Sequence, residues 1–166
     1  METKFEKQKD EKVYPDLEEY LNSLGLELYQ YQDRPLYRLD DEACSYYLKV
    51  DDFLKRLSVT CIFFILVKED DCERMREFLN RINSRISFAC FYLNEERQIC
   101  IRSERLITGA EPLVFLAEEL LAGLNQDVGD FKAALEAVAA GTNSPEQALK
   151  MVMEQQAGKT EGEDGN

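Results

Sequence analysis

The chain has 166 residues, 45% hydrophobic and 32% charged, with a formal net charge of −13. This is the composition of one globular domain with a substantial core. Histidine is absent, which excludes the commonest general base at neutral pH, the Ser–His and Cys–His nucleophile systems and the usual zinc ligand. The acidity is uneven: residues 111–166 carry 11 acidic and 3 basic side chains. Such a balance repels phosphate backbones and argues against nucleic-acid binding through a basic patch.

In chain order, residues 1–13 are mostly charged and read as a disordered lead-in; Lys4, Lys7, Lys9 and Lys12 are offset by Glu2, Glu6, Asp10 and Glu11. This stretch lacks the apolar segment of a signal peptide. The first helix begins after Tyr14–Pro15–Asp16, with Leu17, Tyr20, Leu21 and Leu24 as its apolar stripe and Gly25 as its stop. Leu26–Gln32 reads as a strand, and Leu36–Leu39, following Pro35, as a short edge strand or a loop. Cys44–Val50 alternates, with Cys44, Tyr46, Leu48 and Val50 facing one way. Leu57–Val67 is the most hydrophobic segment: Leu57, Val59, Cys61, Phe63, Ile65 and Val67 line one face, while Ile62, Phe64 and Leu66 leave the other apolar as well. Its apolar run is far short of the ~20 residues that span a bilayer.

A helix over residues 70–84 follows, with Met75, Phe78, Leu79 and Ile82 on its apolar face and Glu77–Arg81 and Asp70–Arg74 as ion pairs four residues apart. Two alternating runs, Ile86–Asn94 and Arg97–Ser103, then form a hairpin around Glu95–Glu96. If Asn94 and Arg97 close the turn, Tyr92 opposes Ile99 and Cys90 opposes Ile101. Ile86, Phe88, Cys90, Tyr92, Ile99 and Ile101 then share one face, and Ala89, Phe91, Leu93 and Cys100 the other. Leu113 starts a helix, one long or two stacked pieces, ending at Gly141. Ser144–Pro145–Glu146–Gln147 has the pattern of a capping box opening a further helix to Gln155. Residues 157–166 read as a disordered acidic tail.

The run FLNRINSRISFACFYLNEERQICIRSERL (Phe78–Leu106) resembles the helix–hairpin core of the YbjN family. That core has a helix ending in a Leu-Asn-x-x-Asn-like element, an aromatic-rich strand, an acidic turn and an apolar strand. Glu95–Glu96 stands where family members carry Asp or Gly, which leaves a slightly longer loop open. The resemblance implies an α+β fold similar to type III secretion chaperones: a single antiparallel sheet with helices, in the order α-β-β-β-α-β-β-α. The expected organisation is a YbjN-like domain over 14–140 and a C-terminal helix extension over 141–156, between the lead-in and the tail.

No catalytic, cofactor or metal site is expected. The acidic groups at Asp40–Asp41–Glu42, Asp51–Asp52 and Glu69–Asp70–Asp71 lack a calcium-loop pattern and suit turns and helix starts. The five cysteines (Cys44, Cys61, Cys72, Cys90, Cys100) read as core filler, and their odd number and lack of a Cys-x-x-Cys spacing suit a reducing compartment, so the expected location is cytoplasmic. Cys90 and Cys100 fall on opposite faces in this register, so no disulfide between them is expected. The function implied by the resemblance is a non-catalytic protein-binding module, chaperone-like or regulatory, of bacterial type. The rivals are a carboxylate- or thiol-dependent enzyme and a structural subunit of a larger assembly. The expected partner is another protein or a second copy of the chain, with no nucleic acid and no membrane. The expected contact surface is Ile62, Phe64, Ala89, Phe91 and Leu93, an apolar set that the helical stripes leave uncovered.

Overall fold

The computed structural model describes residues 3–4, 14–31, 34–86 and 88–163. Seven strands form one sheet, antiparallel throughout, in the order β1-β2-β3-β4-β5-β7-β6. The strands are β1 (Thr3–Lys4), β2 (Glu27–Tyr31), β3 (Arg34–Asp40), β4 (Cys44–Asp51), β5 (Arg56–Leu66), β6 (Cys90–Leu93) and β7 (Gln98–Leu106). Four helices accompany them: α1 (Pro15–Ser23), α2 (Cys72–Asn83), α3 (Leu113–Ala139) and α4 (Pro145–Glu163). The α+β class and the single antiparallel sheet are as expected. Between α1 and α2 there are four strands rather than three, because the stretch around Leu36–Leu39 is a full strand of seven residues. Apart from Thr3–Lys4, the lead-in 1–13 lies outside the described residues.

Each helix end follows from local chemistry. Pro15 opens α1 in the first turn, where its missing N–H costs nothing. At the end of α3, the Gly141 N–H donates to the Val138 carbonyl and the Thr142 N–H to the Ala137 carbonyl. This closure needs a left-handed residue, and Gly141 supplies it at φ +75°. The capping box at α4 is present in both directions: Gln147 N–H donates to Ser144 Oγ at 3.3 Å, and Ser144 N–H to Gln147 Oε1 at 2.8 Å. From there α4 runs to Glu163, past Gln155 and into the stretch read as a tail.

Side chains also join the helices. Arg81 binds Glu77 of its own helix at 2.7 Å and Glu146 of α4 at 2.6 Å. Arg74 pairs with Asp71 rather than Asp70, at 3.2 Å, and donates to the Val138 carbonyl at the end of α3 at 2.9 Å. A cation there complements the partial negative charge of a helix C-terminus.

The core lies between the helices and one face of the sheet. Leu57, Val59, Cys61, Phe63 and Val67 of the β5 segment are fully buried, as are Cys44 and Leu48 of β4, with Leu17, Leu21, Met75, Phe78 and Leu120 from the helices. Phe88 packs half-buried against α3 at Gly123, where a Cβ would come within 2.3 Å of its ring. Only glycine permits that approach.

The β6–β7 hairpin differs from the expectation by one residue. Phe91 opposes Ile101, Tyr92 opposes Cys100, and Leu93 opposes Ile99. The cause is the loop. Arg97 takes a left-handed conformation (φ +63°), its N–H returns to the Asn94 carbonyl, and Asn94 Oδ1 accepts the Gln98 N–H at 2.8 Å. The loop therefore holds three residues, Glu95 to Arg97, rather than two. A slip of one residue exchanges the faces. Phe91 enters the core at 2% exposure, while Cys90 and Tyr92 turn outward. Cys90 and Cys100 consequently share a face, contrary to the opposite placement expected from the two-residue turn.

Asn83, the second asparagine of the Leu-Asn-x-x-Asn element, holds this edge strand. Its amide donates to the Phe91 carbonyl and accepts from the Phe91 N–H, both at 2.8 Å. It stands in for the neighbouring strand that β6 lacks on that side.

Two outcomes test this packing. Phe63→Ala destabilises by ~3–5 kcal/mol in denaturant unfolding, whereas Phe64→Ala costs about 0.5 kcal/mol or less, although the residues are adjacent. Equal losses contradict the assigned facing. Asn83→Ala costs about 2 kcal/mol by leaving two backbone groups of Phe91 unpaired, and Asn83→Asp, which keeps only the acceptor, falls between.

Candidate protein-interaction face

Among the described residues, α3 packs on β5 and β7 and α2 on β6, over the face that carries the core. The other face consists of rows running across the strands. One row runs Glu27–Arg38–Tyr47–Thr60–Arg102–Cys90, and the next Asp40–Ser45–Ile62–Cys100–Tyr92. Lys49, Ser58 and Glu104 form a third. Each row follows from the period of two along a strand.

Toward β2 and β3 the face is polar and aromatic. The Arg38 guanidinium lies 5.5 Å from the Tyr47 ring and 5.9 Å from the Tyr29 ring, within cation–π range, and binds Asp40 at 2.9 Å. Ser45 donates to the same carboxylate at 2.5 Å. Burial pushes the Asp40 pKa up, but the hydrogen bonds from Ser45 and Arg38 and the Arg38 charge outweigh it, leaving it below the usual carboxylate value. Further along, Lys49 pairs with Asp51 at 3.8 Å, and Glu104 with Arg56 at 2.7 Å and Arg102 at 3.1 Å. The Arg38, Asp40, Lys49, Asp51, Arg56, Arg102 and Glu104 charges thus pair locally.

At one end, where Ile62 of β5, Cys100 of β7 and Tyr92 of β6 meet, the face is apolar. Phe64 is 56% exposed, Leu66 63% and Tyr92 38%, beside a half-buried Ile62. Cys100 is buried next to Tyr92; burial pushes its thiol up to about 11 and the Tyr92 hydroxyl up to about 12. Of the five residues expected at a contact surface, Ile62 and Phe64 lie here. The other three do not. Phe91 is in the core between Phe63 and Phe131, at ring-centroid distances of 6.5 and 5.3 Å. Ala89 and Leu93 are partly buried against the same core. Sequence reasoning missed Tyr92 because the two-residue turn had turned it inward; the alternation of the strand offered either facing.

The remaining reactive groups lie elsewhere. Cys44 and Cys61 are fully buried on the core side, on adjacent strands two residues off register. The hydrogen bond from Cys61, opposed by burial and helped by one from Tyr46, lowers the Cys44 thiol to about 7, while the same contact and burial push Cys61 up. A thiol sealed in the core meets no substrate. Among the described residues, no cluster of three or more Cys, Asp or Glu is arranged to hold a metal ion, and no helix is long and apolar enough to cross a membrane.

These features define a single-sheet α+β domain with one face under helices and, among the described residues, one face open. The structure of YbjN from E. coli, described as a proposed transcription regulator, superposes with a TM-score of 0.53 over 76% of this chain and 91% of that one, at 11% sequence identity. The chain therefore has a YbjN-like fold. No family model and no curated protein matches its sequence.

One carboxylate on α3 gives a pH test. Burial, reinforced by the Asp130 charge, raises Asp127 from 3.8 to about 6, and its Oδ2 is buried without a partner. A carboxyl whose folded pKa is raised contributes stability that is complete below the unfolded pKa and is lost as pH rises through the folded one. Asp127→Asn removes that loss. Its thermal midpoint relative to wild type therefore rises between about pH 4 and pH 7 and then levels. A constant difference across the range contradicts the assignment.

Proposed function

We propose that the chain is a non-catalytic protein-binding module, a regulatory or chaperone-like adaptor that engages its partner through the open sheet face. The observation that carries this reading is the strip of exposed Phe64, Leu66 and Tyr92 beside half-buried Ile62, on the side that no helix of the described residues covers. Contiguous exposed apolar surface on a well-packed domain marks contact sites. Aromatic residues with an arginine beside them, as at Tyr29, Arg38 and Tyr47, are enriched at the centres of protein interfaces.

YbjN's description as a proposed transcription regulator supports a regulatory role. At a net charge of −13, such a role here runs through protein contact rather than through phosphate backbones. The odd cysteine count supports a reducing, cytoplasmic setting.

Quantitative capture from the source cells tests the reading with three baits: wild type, Phe64→Glu on the open face, and Phe115→Glu on exposed α3 surface. The expected outcome is a discrete protein, either a different one or the untagged chain itself, held by wild type and Phe115→Glu and lost with Phe64→Glu, since a charge in a dry contact is expensive. Identical capture by all three baits overturns the reading, and a retained small molecule that is turned over replaces it with catalysis.

A further inference from the structure

An open sheet has two edges, and here they are closed by different means. At β6 the Asn83 side chain takes both backbone groups of Phe91. At the far side β1 lies along β2, with Thr3 opposite Gln30 and Lys4 opposite Tyr29.

The make-up of β2 shows what has to be closed. Its five residues, Glu-Leu-Tyr-Gln-Tyr, hold one charge, two tyrosines and no proline, a composition that favours strand pairing and puts little in its way. Pro35 sets the phase of its ladder with β3. Pro35 stands opposite Gln30 and has no N–H to give, so the bonded pairs are Tyr29–Leu36 and Tyr31–Arg34. Gln30 therefore turns its own N–H and carbonyl to the outer side, and Thr3 is the residue that meets it there. The segment that supplies β1 has the reverse character: eight of the residues Met1–Lys12 are charged. A two-residue strand from such a segment is a poor template for a further one.

We propose that β1 is an autoinhibitory edge guard, in which Thr3 occupies the outer bonding position of β2 at which β2 of a second copy otherwise adds, antiparallel about a two-fold axis. A two-fold contact needs a self-complementary strand, and β2 is one. Centred on Tyr29, Leu28 meets the second copy's Gln30, both of them bonding outward, and Glu27 meets Tyr31, so no like charges oppose. This contact extends the sheet at its edge and is independent of the open face.

Sedimentation velocity of the full chain tests it. Thr3→Pro removes the N–H that faces Gln30, whereas Lys4→Pro removes one that faces away, because bonding alternates along a strand. Thr3→Pro is expected to associate at a concentration roughly ten-fold or more below wild type, with unchanged circular dichroism, and Lys4→Pro to follow wild type. Gln30→Pro, added to Thr3→Pro, deletes the outward N–H of β2, spares its ladder with β3 and returns association to the wild-type level. Phe64→Glu, added instead, leaves the gain in place. Hydrogen exchange on the wild type gives a second readout, in which the Gln30 amide is protected. A Thr3→Pro chain that sediments as wild type does overturns the inference, as does a gain that survives Gln30→Pro or vanishes with Phe64→Glu. A wild-type Gln30 amide that exchanges as fast as an unbonded one overturns it as well.

Discussion

Phe91 ties the edge strand β6 to three other elements. Its ring stacks near Phe63 of β5 and meets Phe131 of α3 edge-on, while its backbone N–H and carbonyl are held by the Asn83 side chain at the end of α2. An edge strand of four residues has little hold of its own. Here one residue gives it three anchors, to the central strand, to the longest helix and to the preceding helix. With Phe91 committed inward, the pleat leaves no choice for its neighbours. Tyr92 and Cys90 face out, and Cys100 follows across the ladder.

Helices on one face alone then have a consequence for charge. Arg74 at the end of α3 and Arg81 between α2 and α4 join the helices to one another through their ends and flanks, and that layer is spent on one side of the sheet. The acidic surplus of residues 111–166 goes with it. What remains on the other side carries the ion pairs of Arg38, Lys49, Arg56 and Arg102 and an exposed apolar end at Phe64 and Leu66.

Much of this was legible in the sequence. The alternation in Cys44–Val50 and Leu57–Val67 identified the central strands and their inward residues, and the Ser144–Gln147 spacing placed the start of α4. Ile62 and Phe64 came correctly to the open face. Three features were not legible. Arg97 in a left-handed conformation carries no signal, since Gly or Asn is the residue that advertises such a turn; that one conformation moved Phe91 inward and Tyr92 outward. Pro35 suggested an edge or a loop for β3, yet β3 lies between β2 and β4; tertiary pairing overrode the local signal. The extent of α4 beyond Gln155 was hidden by a polar composition that resembles a tail.

The exposure of Phe64 has a structural origin of its own. β5 and β7 pair regularly from Arg56–Leu106 to Ile62–Cys100, and the next pair is Leu66–Gln98, so β5 spends four steps where β7 spends two. The irregularity falls in the most apolar run of the chain, in a strand paired on both sides. Its backbone is satisfied in part by other means: the Phe64 N–H donates to the Ala43 carbonyl and the Val67 N–H to the Arg97 carbonyl. Bulges commonly serve to twist an edge away from aggregation or to re-aim a side chain. β5 is no edge, so the second role is the one available to it. Phe63 and Val67 lie in the core, and alternation along the strand turns Phe64 and Leu66 to the other face, at the place where the pairing with β7 becomes irregular. A regular ladder continuing past Ile62 has no such surplus length. The exposed strip thus follows from the period of two along β5, with the irregular pairing to β7 falling at the same place.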